Sequence, residues 1–422
     1  MTQHTLREIF DNYSKETARV FKNKDVLTDK HIPENIPHRE EQINQIAKIL
    51  APSIKGEKTS NLFIYGSTGT GKSVCIKHIT SELSKTTDKI KALYLNCKMK
   101  RVSDTEYRLI AELSRMLGKD VPATGLPTEE VYKIFYSILD SEQRNIILVL
   151  DEIDALIKKT GDDILYSLLR TNQDLKKAKL SIIGISNDVS FTDGLDPRIK
   201  SSLSEEEVVF QPYNANQLKD ILMQRASMAF NNEAFDDSVI SKCAALAAQE
   251  HGDARRALDL LRIAGELVER EGASRITTNH VDKAEDKLDV DRIVEVVRFQ
   301  PRQSQAVLAS IIKIVENDQK NIQTGDVFVI YEKICKSRGL KILTQRRVSD
   351  LVAELDMLGI INARVISKGR YGRTREIKIL LAKPVIEKIK RILKENYLLT
   401  DRLFMDVKKG IYGQKRDSKN IF

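Results

Sequence analysis

Leu62-Phe63-Ile64-Tyr65-Gly66-Ser67-Thr68-Gly69-Thr70-Gly71-Lys72-Ser73 is the stretch that decides the fold. Its first four residues read as a short buried strand, and the eight that follow fit GxxxxGK[ST]. Glycines let backbone N–H groups turn toward phosphate oxygens, and the helix expected over 72–84 aims its positive end at the same place. Ser67, Thr68, Gly69, Thr70 and Gly71 would form the cradle. Lys72 would reach the β- and γ-phosphates of a nucleotide, and the Ser73 hydroxyl would bind Mg²⁺. At average residue usage the pattern arises by chance on the order of 1 % of the time in a chain this long. The strand before it and the helix after it make a plain Gly-rich turn less credible still.

Reading outward, Ile146-Ile147-Leu148-Val149-Leu150 is an apolar strand that ends in Asp151-Glu152. Asp151 at the strand end suits the magnesium shell, and Glu152 suits orienting and deprotonating a water. Together with the loop, the pair favours hydrolysis over binding alone. Asp154 is equally well a solvated or capping acid. Asn187 follows the strand expected over 180–185. There it lies at the C-terminal edge of the sheet, where open α/β sheets bind ligands, although an Asn after a strand is also an ordinary turn residue. Further strands are expected at 92–95 and 208–210, with helices at 104–117, 128–139 and between 152 and 175. Short apolar strands separated by helices indicate a parallel sheet covered on both faces.

The chain has 422 residues, 41 % hydrophobic and 31 % charged. That suits two or three domains with real cores and excludes a disordered or fibrous chain. The longest aliphatic run, 146–150, is far short of the about 20 residues that span a bilayer, so no membrane partner is expected. MTQHTLREIF lacks the apolar core of a secretory signal. Four scattered cysteines form no CxxC pair and suit a reducing compartment. A cytoplasmic location follows as an expectation.

From Asn214 the pattern turns wholly helical, with helices expected at 216–230, 236–249, 253–271 and 278–288. A third unit follows: helices at 303–315, 324–338 and 344–358, strands at 360–366 and 375–381, and a helix at 384–394. Three helices and a hairpin make a winged helix. Residues 295–422 carry 27 Lys+Arg against 14 Asp+Glu, while residues 1–294 carry 42 against 46. All the excess positive charge therefore falls on the last third, which points to a polyanion such as nucleic acid. Thr344, Gln345, Arg346, Arg347 and Ser349 gather at the N-terminal end of the expected recognition helix, where base edges are read. The hairpin adds Lys368, Arg370, Arg373 and Arg375, with Tyr371 among them, a cationic wing suited to phosphates or a minor groove.

Gly66–Ser73, Asp151-Glu152, Asn187, Asp196-Pro197-Arg198-Ile199-Lys200-Ser201-Ser202-Leu203 and Gly252-Asp253-Ala254-Arg255-Arg256-Ala257-Leu258 together resemble an AAA+ ATPase. With Ile36-Pro37-His38-Arg39-Glu40 and the winged helix, the chain resembles the archaeal origin-recognition initiators over about residues 18–395. The resemblance implies a P-loop α/β domain at 18–212, a helical lid at 213–291 and a winged-helix DNA-binding domain at 292–398, with tails at 1–17 and 399–422. It implies ATP/ADP and Mg²⁺ as cofactors. Asn187 would be a sensor and Arg255 a lid arginine that reaches the γ-phosphate. Arg198, with Lys200 as its rival, would be a finger acting on a neighbouring subunit's ATP. Ile36, Pro37, His38 and Arg39 would line the adenine pocket, and the segment 119–130 would be an initiator-specific DNA contact. The implied partners are double-stranded origin DNA, an MCM-type replicative helicase and other initiator copies, in association with the nucleoid. The rival readings are a nucleotide-gated DNA-binding module with negligible turnover, a clamp-loader or branch-migration motor, and a transcriptional regulator with an ATPase domain.

Overall fold

A computed structural model describes residues 20–28, 31–99, 105–122, 124–188, 190–316, 322–367, 373–379, 381–396 and 398–399. The chain divides into two units, Met1–Ala284 and Glu285–Phe422, each with its own core. No helix among the described residues is long and apolar enough to cross a membrane.

In the first unit, helix α1 (Glu40–Leu50) precedes strand β1 (Leu62–Tyr65) and helix α2 (Lys72–Thr86). Then come β2 (Ile90–Asn96), α3 (Glu106–Met116), α4 (Thr128–Leu139), β3 (Asn145–Asp151), α5 (Ile153–Thr160), α6 (Asp163–Arg170), β4 (Lys179–Ser186), α7 (Pro197–Leu203) and β5 (Glu206–Val209). The five strands form one parallel sheet in the order β2-β3-β4-β1-β5. Strand β3 is buried along its whole length. Its alternate residues feed opposite faces: Ile146, Leu148 and Leu150 pack with α3 to α6, and Ile147 and Val149 pack with α1 and α2. Both faces are covered, as the apolar strands require. Full burial of each such side chain is worth about 1.5 to 3 kcal/mol. Tyr65, Asn96, Asp151 and Ser186 end their strands at one common edge, and that edge carries the site.

The lid follows as α8 (Ala215–Ala229), α9 (Asp237–Gln249), α10 (Ala254–Glu271) and the start of α11 (Thr278–Phe299). Asn214 and Gln217 close a capping box on α8. Residues 20–28 lie on the lid. Phe21 bridges Phe230 with ring centroids 4.7 Å apart, and Arg225 donates to the Val26 carbonyl at 3.3 Å. Helix α11 runs well past the 288 expected. The stretch 286–292 is charge-dense and breaks apolar periodicity, but it holds no Gly or Pro, so the helix continues until Pro301 blocks it.

The second unit comprises α12 (Arg302–Glu316), β6 (Ile322–Gln323), α13 (Thr324–Arg338), α14 (Gln345–Met357), β7 (Asn362–Ser367), β8 (Arg373–Lys378) and α15 (Lys383–Glu395). The sheet has three strands in the order β6-β8-β7, all antiparallel. Strand β6 is two residues long, below what a periodicity reading detects. This is a winged helix, with α14 in the recognition-helix position. The wing tip, including Lys368, Arg370 and Tyr371, lies outside the described residues.

Candidate nucleotide site and nucleic-acid interface

A cavity of about 440 Å³ opens at the C-terminal edge of the sheet. The base supplies Gly69 to Ser73, Asp151, Glu152 and Asn187, and the lid supplies Arg255. The loop between β1 and α2 takes its shape from backbone that only glycine adopts readily. At Gly69, φ is +69°, and a Cβ there would overlap the Asp253 carboxylate of the lid.

The Lys72 ammonium donates to the carbonyls of Gly66 and Ser67, both at 2.7 Å, and to Asn187 Oδ1 at 2.9 Å. Burial pushes its pKa down to about 8; Asp151 opposes the shift and Arg255 adds to it. The Asn187 side chain is thus in direct contact with Lys72. The Ser73 hydroxyl donates to Asp151 Oδ2 at 2.8 Å. The same oxygen accepts the phenol of Tyr94, and Asp151 Oδ1 accepts the Glu152 N–H at 3.0 Å. Burial, then the charge of Asp151, holds the Tyr94 phenol above its usual range, so it is a neutral donor. Glu152 has φ +56°, a left-handed conformation uncommon for a side-chain-bearing residue and concentrated at functional sites. Its carboxylate pairs with Lys98 at 3.4 Å. Asp154 accepts the Ser186 hydroxyl at 3.1 Å, which makes it a structural partner of β4.

Arg255 lies in the first turn of α10, whose N-cap is Asp253, and it faces the cavity. Ile36 and Pro37 line the wall, with Ile221 and Arg225 of α8. His38 and Arg39 stand outside the lining, unlike their neighbours. His38 Nε2 meets Asp220 Oδ2 of the lid at 2.9 Å. Arg39 is buried behind the loop, donating to Thr70 O at 2.9 Å and Gln211 O at 2.5 Å and stacking 3.8 Å from the Tyr213 centroid. The buried Thr70 carbonyl takes its donor from Arg39, which thereby braces the loop, while His38 ties the same segment to the lid. Ser67 acts through its carbonyl, which also accepts the Thr70 hydroxyl at 2.9 Å; Ser67 and Thr68 stand outside the lining. Arg198 lies elsewhere, 71 % exposed and forked onto Asp196 at 3.0 and 3.1 Å. Lys200 pairs with Asp193 at 3.0 Å. Sequence reasoning missed Tyr94, since one tyrosine in a strand carries no motif; only the β2–β3 pairing brings it near Asp151.

Of the segment 119–130, residues 124–127 lead into α4, whose first turn holds Glu129 and Glu130, and Ala123 lies outside the described residues. In the winged helix, Thr344 caps α14 by accepting the Arg347 N–H at 3.3 Å. Val348, Leu351, Val352 and Leu355 face the core, which leaves Gln345 and Arg346 exposed at the helix start and Ser349 partly so. Arg347 reaches Glu354 at 3.2 Å. Arg375 shares a face with Ile377, and Arg364 opposes Glu376 across the hairpin. The backbone of Arg373 opens β8; its side chain lies outside the described residues.

A glycine-lined phosphate loop, an acidic strand end and a helical lid closing one cavity define an AAA+ ATPase, here joined to a winged helix. The AAA ATPase domain family matches residues 35–183, the Cdc6 AAA+ ATPase-type lid domain 219–286, and the CDC6 C-terminal winged-helix domain 295–388. An ORC1-type DNA replication protein of Thermococcus onnurineus is 54 % identical over 90 % of this chain and 92 % of its own length. One from Pyrococcus furiosus is 50 % identical over 96 % and 97 %. The solved structure of the Aeropyrum pernix ORC1 protein in complex with DNA is 41 % identical, covers 90 % of this chain and 98 % of its own, and superposes with a TM-score of 0.77. The chain belongs to the ORC1-type DNA replication proteins, and it is a replication initiator with ATPase activity.

Proposed function

We propose that the protein binds origin DNA through its winged helix under the control of Mg²⁺-ATP held between base and lid, and that it recruits the replicative helicase. The observation that carries the nucleotide reading is the meeting of Lys72, Ser73, Asp151, Glu152 and Asn187 with Arg255 around one cavity. A divalent cation fits there. The Ser73 hydroxyl and the Asp151 carboxylate are adjacent oxygen donors, and Mg²⁺ characteristically takes one or two such ligands together with phosphates and waters. When bound, it would neutralise phosphate charge. Lys72 binds the phosphates, Glu152 orients and deprotonates the attacking water, and Asn187 holds Lys72 in line. Arg255 brings the lid onto the γ-phosphate. Arg198, or Lys200 beside it, serves a second initiator copy, because neither faces this chain's own cavity. Intrinsic turnover is then slow, since the finger arrives from another subunit.

The DNA contacts are Thr344, Gln345, Arg346, Arg347 and Ser349, with Lys368, Arg370, Arg373 and Arg375 of the wing. The DNA complex of the Aeropyrum relative supports this reading, as does the excess of 27 basic over 14 acidic residues in 295–422. Association with the replicative helicase and with the nucleoid belongs to the same proposal. Footprinting on the chromosomal origin region tests the proposal. Protection at origin repeats with ATP, lost in Lys72→Ala, is expected. Protection confined to promoters, or unaffected by Lys72→Ala, sinks it.

A further inference from the structure

Tyr94 has no part in the roles argued so far, yet its hydroxyl shares an acceptor with that of Ser73. Asp151 Oδ2 accepts two hydroxyls, those of Ser73 on α2 and Tyr94 on β2. Asp151 Oδ1 is taken by the Glu152 N–H. A carboxylate left to itself rotates broadly about its last torsion. Here donors from three segments engage both oxygens and remove that freedom, and bonds to an ionised acceptor are the strong ones. The Lys77 ammonium stands 4.5 Å from the Tyr94 ring centroid and steadies the ring from its face. Both side chains line the cavity.

We infer that Tyr94 is a positioning residue whose hydroxyl holds the Asp151 carboxylate in the orientation that Mg²⁺-nucleotide requires, and so sets the metal dependence of nucleotide binding. The inference rests on reading Ser73 and Asp151 as the metal-side oxygens. The chain of action is short. Tyr94 fixes Asp151, Asp151 fixes the Ser73 hydroxyl, and the pair presents its remaining lone pairs to the cation. Tyr94 touches no reacting atom. A purely structural role, in which a half-buried phenol simply finds an acceptor, would lower stability and leave metal dependence alone.

The test compares full-length wild type, Tyr94→Phe and Ser73→Ala by ATP affinity in EDTA and in saturating Mg²⁺, together with Mg²⁺ titrations at fixed nucleotide. Phenylalanine keeps the ring and its contact with Lys77 and removes only the hydroxyl. The ratio of the two affinities is insensitive to the fraction of folded protein. Tyr94→Phe is expected to lose about tenfold of the Mg²⁺-dependent gain and to raise the titration midpoint similarly, as loss of one charge-assisted hydrogen bond requires. Its EDTA affinity is expected to stay near wild type. A wild-type ratio and midpoint in Tyr94→Phe, with the gain abolished in Ser73→Ala, overturns the inference and leaves the metal reading standing. A gain absent from wild type, or retained by Ser73→Ala, overturns both.

Discussion

Asp253 of the lid seats directly on Gly69 of the phosphate loop: a Cβ added at Gly69 would stand 1.7 Å from Asp253 Oδ1. The Ala254 N–H also donates to the Gly69 carbonyl at 3.2 Å. The lid therefore meets the loop directly at Gly69, through both Asp253 and Ala254.

This contact makes the two positions energetically coupled. Gly69→Ala combines the clash with φ +69°, so it should destabilise the protein by more than about 1 kcal/mol. Asp253→Ala removes the cap on α10, where Oδ1 accepts the Arg255 N–H at 2.8 Å, at a cost of about 1 kcal/mol. In a double-mutant cycle by urea denaturation, the cost of Gly69→Ala should shrink in the Asp253→Ala background. Strict additivity would refute the contact.

Glu152→Gln should leave ATP affinity within about twofold while lowering single-turnover hydrolysis at least a hundredfold, as loss of a general base does. Identical, near-zero rates in both proteins would instead favour a nucleotide-gated module without turnover.

Glu266 gives a pH-dependent readout of the lid. It bridges Lys24 and Arg262, each at 2.9 Å. Burial alone would raise its pKa, but Lys24 and Arg262 outweigh burial and hold the carboxyl below its ordinary 4.5. A depressed folded pKa means stabilisation that is complete above about 4.5 and lost as pH falls through the folded value. Glu266→Gln should therefore cost about 1 to 2 kcal/mol at neutral pH. The gap should close in acid, as followed by denaturant melts across pH. A gap that persists below the folded value would contradict the bridge.

Exposed Arg346 should contribute one phosphate or base contact. Arg346→Ala is expected to weaken duplex binding and reduce the slope of log affinity against log salt by about 0.9. Fluorescence anisotropy on an origin duplex measures both. An unchanged slope would remove Arg346 from the interface.

Much of this architecture was legible because local chemistry and tertiary role coincide. The loop at Gly66–Ser73 carries its own strand, turn and helix start, and Asp151-Glu152 ends a strand apolar enough to be read unaided. The winged helix was visible through the buried stripe of α14. The rest depends on contacts distant in sequence. Tyr94 acquires its partner only when β2 pairs with β3. Arg39 and His38 sit in a motif expected to line a pocket, yet buried carbonyls and Asp220 draw their side chains elsewhere. Helix α11 outlasts its apolar pattern because nothing in 289–299 breaks a helix.

The left-handed turn at Glu152 has a consequence for how two neighbouring acids coexist. The chain bends at that residue, so Asp151 leaves toward Ser73 and Tyr94 while Glu152 leaves toward Lys98. Consecutive carboxylates thus take separate partners. Exchanging their order, Asp151→Glu with Glu152→Asp, would conserve charge and composition yet dismantle both arrangements.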